Sequence, residues 1–167
     1  IEHAVNPVLT LGLEVFAVTM PYEVKVLKYV HDKKDSVREI GSANTVLNTN
    51  GRLTAYNTDS YAATIFLDRY DNRKKLYIVG DGGYARAVTW AAEDCRFHVE
   101  SVTRENWNEL HDIRDSVVYN CTPVGITDMI DKSNDFINCL VETETGRELA
   151  RLQASKQFEL YTGKKFP

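Results

Sequence analysis

Cysteine is scarce in this chain: there are three, Cys95, Cys121 and Cys139, an odd number at wide spacing. Such a set builds neither a disulfide framework nor a zinc pattern, and the residues read as buried, reduced thiols of a cytoplasmic protein. The histidines, His3, His31, His98 and His111, have no metal-ligand spacing, so no metal site is expected. No apolar run approaches the roughly 20 residues of a membrane span. Ile1-Glu2-His3 has neither the basic start nor the apolar stretch of a signal peptide. Excess positive charge is also lacking: the net charge is −4, which gives no broad basic surface for nucleic acid. No repeat and no low-complexity segment is present. These absences leave a soluble globular protein, with neither nucleic acid nor membrane expected as partner.

The chain has 167 residues, 43% of them hydrophobic and 26% charged, enough for one domain or two very small ones with a real core. Its most informative stretch is Gly80-Asp81-Gly82-Gly83-Tyr84-Ala85-Arg86, set between apolar Leu76-Tyr77-Ile78-Val79 and helix-forming Ala87-Val88-Thr89-Trp90-Ala91-Ala92. A strand, a glycine turn and a helix start suit a nucleotide pyrophosphate: glycines let the backbone approach the phosphates, and the helix N-terminus offers unpaired N–H groups. On its own the motif is equally an ordinary strand-to-helix turn.

The remaining pattern is that of an α/β protein. Val15–Val18 reads as a buried strand, and Pro21 as the first residue of a helix with Val24, Leu27 and Val30 or His31 inward. Asp32-Lys33-Lys34-Asp35 reads as a charged turn. Asn50-Gly51 between 44–48 and 52–56 predicts a hairpin. A helix follows Asn57-Thr58-Asp59, with Ala62, Ile65 and Phe66 inward, and residues 71–75 read as a polar hinge. After the glycine turn come strands at 97–102 and 117–119, then a helix from about Gly146 towards Tyr161, with Gly163 suited to end it. This order predicts a small N-terminal α/β substrate domain, residues 1–70 completed by helix 146–163. It pairs with a Rossmann-like parallel-sheet dinucleotide-binding domain, residues 71–145. Trp90 and Trp107 read as packing residues.

Six blocks, in order, resemble shikimate dehydrogenases: Val18-Thr19-Met20-Pro21-Tyr22, Ile40-Gly41-Ser42-Ala43-Asn44-Thr45-Val46, Tyr56-Asn57-Thr58-Asp59, Gly80 to Ala87, Asn120-Cys121-Thr122-Pro123-Val124-Gly125, and Gln153-Ala154 with Phe158 to Gly163. The family pattern is longer, and stretches between Pro7 and Val15 and between Ile126 and Gly146 have no counterpart here.

The resemblance implies NADPH-dependent reduction of 3-dehydroshikimate to shikimate, in aromatic amino acid biosynthesis, by a monomer or homodimer. It assigns Asp59 to acid–base catalysis, where the reading from residues alone is a helix N-cap. Thr19, Asn44, Gln153 and Asn6 become substrate-binding residues, Asn44 being otherwise a turn residue. Gly80, Gly82, Gly83, Arg86, Thr103, Arg104, Thr122, Pro123, Val124 and Gly125 become cofactor-binding residues. Arg104 at a strand end points to the 2′-phosphate of NADP, with Glu100 and Glu105 as counter-indications; from the residues alone it is a solvated loop arginine.

Two departures stand out. Glu23 occupies the family's lysine position, and Lys25, two residues on, is rotated by roughly 200° along a helix, away from the cleft. Ala4 and Asn6 replace two hydroxyl residues that hold the substrate carboxylate. Impaired chemistry is therefore expected, and the alternatives are a non-catalytic NADP-binding or regulatory homologue and a quinate dehydrogenase.

Overall fold

A computed structural model describes residue 5 and residues 8–167; Ala4 and Asn6 lie outside the described residues. Two four-stranded sheets carry the fold. The first has the order β1 (Val15–Ala17), β3 (Thr45–Thr49), β4 (Arg52–Tyr56), β2 (Asp32–Lys33). β3 is antiparallel to both β1 and β4, and β2 lies parallel to β4. Asn50 (φ 52°) and Gly51 (φ 85°) make the predicted hairpin turn. Apolar alternation buries Val46, Leu53 and Ala55 together with Val26, Val37 and Ala43 as this sheet's core.

The second sheet is wholly parallel, in the order β6 (His98–Val102), β5 (Lys75–Val79), β7 (Val117–Asn120), β8 (Asp135–Asn138). Leu76, Ile78, Val117, Tyr119 and Ile137 face one side. There they meet α2 (Thr58–Leu67), α3 (Gly83–Asp94) and α4 (Glu144–Thr162). Val79, Val102 and Val118 face the other side and pack on Leu110, Ile113 and Ile126. Because β6 and β7 flank β5 on opposite sides, the chain reverses direction across the sheet there. The crevice beyond the strand ends is the usual ligand position in such a sheet.

α2 links the two halves. It follows the first sheet directly, yet buries Ala63, Phe66 and Leu67 on the second. Its N-cap is Asn57, whose side chain accepts from Ser60 N at 3.0 Å, so Asp59 sits inside the first turn rather than at the cap. α4 begins with Thr143 accepting from Gly146 N at 3.0 Å and ends at Gly163 (φ 67°).

Several local expectations are corrected. The helix after Pro21 is one 3-10 turn, Lys25–Lys28, with Val26 buried but Val24 exposed, so no apolar stripe exists to extend it. Residues 32–35 are not a turn alone: they supply β2 and the start of α1 (Asp35–Ile40), a short helix held by buried Val37 and Ile40. β8 was not expected; it is a polar-ended strand in which Ile137 and Asn138 are buried.

Candidate functional site

The glycine turn bridges the crevice. Gly80 has φ 116°, a conformation that calls for glycine, and a Cβ there would lie 3.1 Å from Thr122 Cγ2, which would have to give by a few tenths of an ångström. Its N–H donates to Val102 O at 2.8 Å, tying the turn to the end of β6. Gly82 caps α3 with no side-chain acceptor, and a Cβ at Gly82 would meet nothing within 4 Å. Space is thus open beside the Gly82 cap, and a helix start of this kind suits an anionic phosphate.

Two clefts meet at Gly80-Asp81. One, of about 450 Å³, is lined by Gly82, Thr103, Arg104, Thr122, Pro123 and Val124, and also by Met20 and Trp107. The other, of about 350 Å³, contains Arg86, Thr89 and Trp90. Arg86 and Arg104 are exposed and take part in no ion pair among the described residues. Thr103 N donates to Asn106 Oδ1 at 2.7 Å, which fixes the turn after β6. Glu100 lies within β6 opposite Tyr77 and binds Lys75 at 2.7 Å, so this carboxylate is committed away from the strand end.

Asn120 shapes the loop facing the glycine turn. Its Oδ1 accepts from Thr122 N (3.0 Å) and Thr122 Oγ1 (2.8 Å), while its Nδ2 donates to Val124 O (2.9 Å). The 121–124 backbone is thus folded around one buried amide; Gly125 is exposed just beyond it.

Asp59 lies at the junction of the two sheets. Asn44, 5% exposed, accepts at Oδ1 from Thr58 N (2.9 Å) and Thr45 Oγ1 (2.9 Å), and donates to Thr58 Oγ1 (3.0 Å). Gln153 Nε2 donates to the same Thr58 hydroxyl at 2.9 Å, and Gln157 Nε2 to Thr45 Oγ1 at 2.9 Å. Two helices and a strand are pinned around one buried polar network, so the positions of Asn44, Asp59 and Gln153 are set jointly. Burial pushes the Asp59 carboxyl up to about 7, against a hydrogen bond from Asn44 that favours the ionised form; the Glu23 carboxylate adds to the rise. A cavity of about 210 Å³ holds Asp59 and Gln153 with Tyr84, Cys139 and Ala62.

Glu23 packs against the glycine turn: a Cβ on Gly83 would lie 3.0 Å from Glu23 Cβ and 3.6 Å from its Cδ. Ser42 Oγ, donating to Gly83 O at 3.1 Å, closes the same junction. Lys25 is exposed, its Nζ 6.0 Å from the Tyr22 ring centre, and lines neither cleft. Thr19 is exposed, and its carbonyl accepts from Tyr22 N at 3.0 Å.

Met20, Trp107 and Tyr84 were not expected here. Trp107 both packs under the sheet and lines the larger cleft. Tyr84 had a legible signal, since it directly follows the glycine turn.

Fold and site together define a mixed α/β protein whose parallel, Rossmann-like sheet meets a second small sheet at a polar junction. No family model matches the chain. A shikimate dehydrogenase-like protein of Haemophilus influenzae is 28% identical over 207 aligned positions, covering 97% of this chain and 76% of the relative. A shikimate dehydrogenase (NADP(+)) of Pyrococcus furiosus is 34% identical over 54% of this chain and 34% of its own length. The chain thus spans about a third of that enzyme in the matched region. Among solved structures, a shikimate 5-dehydrogenase-like protein superposes with TM-score 0.81 at 26% identity, over 99% of this chain and 78% of the other. The Thermus thermophilus shikimate 5-dehydrogenase in complex with NADP(H) and shikimate gives 0.79 at 18% identity, over 99% and 78%, a likeness of fold. In sequence and in fold the chain is similar to shikimate dehydrogenase-like proteins. Among the described residues no helix is long and apolar enough to cross a membrane.

Proposed function

We propose that this chain is an NADP(H)-dependent oxidoreductase that interconverts a cyclic hydroxy acid and its ketone, shikimate and 3-dehydroshikimate being the pair favoured. In this reading residues 71–145 form the cofactor side, and residues 1–70 with helix 146–163 the substrate side. The observation that carries it is Asp59, a carboxyl with pKa raised to about 7, held by the Asn44–Thr58–Gln153 network beside the glycine turn. A group poised near neutrality serves as acid in one direction and base in the other.

The glycine turn, Thr103, Arg104 and the 122–125 loop would hold the nucleotide. Arg104 suits a 2′-phosphate, and Glu100, tied to Lys75, does not compete for the ribose. When bound, the nicotinamide supplies the hydride. In reduction Asp59 would give its proton to the ketone oxygen, which becomes the alcohol hydroxyl. In oxidation the Asp59 carboxylate takes that proton back. Asn44, Gln153 and Thr19 would orient the ring hydroxyls and carboxylate.

The test is shikimate-dependent reduction of NADP⁺, followed as NADPH absorbance, with wild type and Asp59→Ala. Saturable turnover lost in the variant is expected. Turnover unchanged in the variant, or none with either shikimate or quinate in the wild type, refutes the reading. Glu23 supports a second reading. A carboxylate replaces the family's lysine and repels an anionic substrate, so the scaffold would bind NADP in a regulatory role without turnover.

A further inference from the structure

Two buried hydroxyls leave one proton to be accommodated. Tyr119 on β7 is 0% exposed, and its Oη lies 2.9 Å from that of Tyr84 in the first turn of α3. Burial holds both phenols well above their ordinary range, so each keeps its proton. The pair has two protons and one mutual hydrogen bond, and the second proton needs another acceptor. The Tyr119 hydroxyl makes no other hydrogen bond among the described residues, and a buried donor left unmatched is costly. Tyr119 therefore donates to Tyr84, and the Tyr84 O–H is aimed elsewhere.

Tyr84 lines the Asp59 cavity. Of the other polar groups there, Gln153 gives one amide proton to Thr58 and keeps its second, and the Cys139 thiol points to Thr122 O at 3.7 Å. Asp59 and Tyr84 share no hydrogen bond among the described residues. Glu23, against the neighbouring Gly83, brings another acceptor when ionised. A hydroxy acid entering this cavity needs donors for its oxygens, and Tyr84 carries an uncommitted one.

We propose that Tyr84 is a further substrate-binding residue, whose hydroxyl, oriented by Tyr119, donates to a hydroxyl, keto or carboxylate oxygen of a polyhydroxylated ring acid in the Asp59 cavity. The inference rests on the shikimate-type reading above. Tyr119 acts through Tyr84 and is a positioning residue.

The experiment is calorimetric titration of wild type, Tyr84→Phe and Tyr119→Phe with shikimate and with quinate at saturating NADP⁺, and separately with NADP⁺ alone. Tyr84→Phe is expected to weaken the better acid about tenfold, the worth of one hydrogen bond, with NADP⁺ affinity unchanged. Tyr119→Phe, which keeps the donor but frees its orientation, is expected to lose less. Tyr84→Phe strands the Tyr119 proton in the core; if it fails to fold, Tyr84→Phe/Tyr119→Phe removes both hydroxyls and takes its place. Acid affinity within about twofold of wild type in the folded variant overturns the proposal while the shikimate-type reading stands. A wild type that binds NADP⁺ but neither acid defeats that reading, and the role of Tyr84 with it.

Discussion

Replacing Asp59 by asparagine removes one titration from the folded state, and the effect on stability can be worked out beforehand. The carboxyl titrates near 3.8 when unfolded and at about 7 when folded. Between these values the folded chain binds more protons than the unfolded one, so stability falls as pH rises. The contribution is fully present below about 3.8 and is lost as pH passes through about 7. Each tenfold difference in proton affinity between the two states is worth about 1.4 kcal/mol. Going from about pH 5 to about pH 8.5 should therefore cost the wild type about 2–3 kcal/mol through this group alone. An asparagine in its place cannot ionise, and its amide oxygen can still accept from Asn44.

The assay is urea unfolding of wild type and Asp59→Asn at both pH values. Only the difference between the two proteins is read, so that all other titrations cancel. Asp59→Asn should gain about 2–3 kcal/mol on wild type between the acid and alkaline measurements. A difference that stays constant across the range would refute the argument, because it would mean that Asp59 ionises in the folded protein as freely as in the unfolded one. Glu23→Gln supplies the internal control. It removes the like charge but not the burial, and burial is the larger cause, so the gain should shrink only in part.

The same titration predicts that ketone reduction declines above about pH 7 while alcohol oxidation rises through it, as pH–rate profiles in the two directions would show. Glu23→Lys should raise kcat with shikimate, since a cation beside Asp59 favours its carboxylate and attracts an anionic substrate; an unchanged kcat would place the limitation outside this position. Arg104→Ala should weaken NADP⁺ about tenfold or more relative to NAD⁺, read as a ratio of dissociation constants; an unchanged ratio would return Arg104 to the solvent. Gly146→Ala should cost at least about 1–3 kcal/mol in urea unfolding, because its Cβ would overlap the Leu140 carbonyl and lie 2.8 Å from Cys139 O, backbone that cannot step aside.

What could be read from the chain beforehand follows the range over which each interaction acts. The hairpin at Asn50-Gly51, the strand and helix around the glycine turn, and the last helix declare themselves through local chemistry and period. β2, α1 and β8 do not, because each is two to six residues long and is held by its neighbours rather than by its own pattern. The turn after Pro21 misled for the converse reason: apolar residues at helical spacing were present, but Val24 has nothing to pack on. The site divides in the same way. Motif blocks pointed to Asn44, Asp59 and Gln153 separately, yet what makes them one device is a hydroxyl, Thr58 Oγ1, that receives amide protons from residues 14 and 95 positions away. Neither spacing has a sequence signature. Nor does the Tyr84–Tyr119 pair, which exists because α3 lays its first turn over β7. Burial, then, is what turns these residues from a motif into chemistry. The carboxyl that would be an ordinary cap-region aspartate in water becomes a group balanced near neutrality once α2 is pressed onto a sheet that it does not follow in sequence.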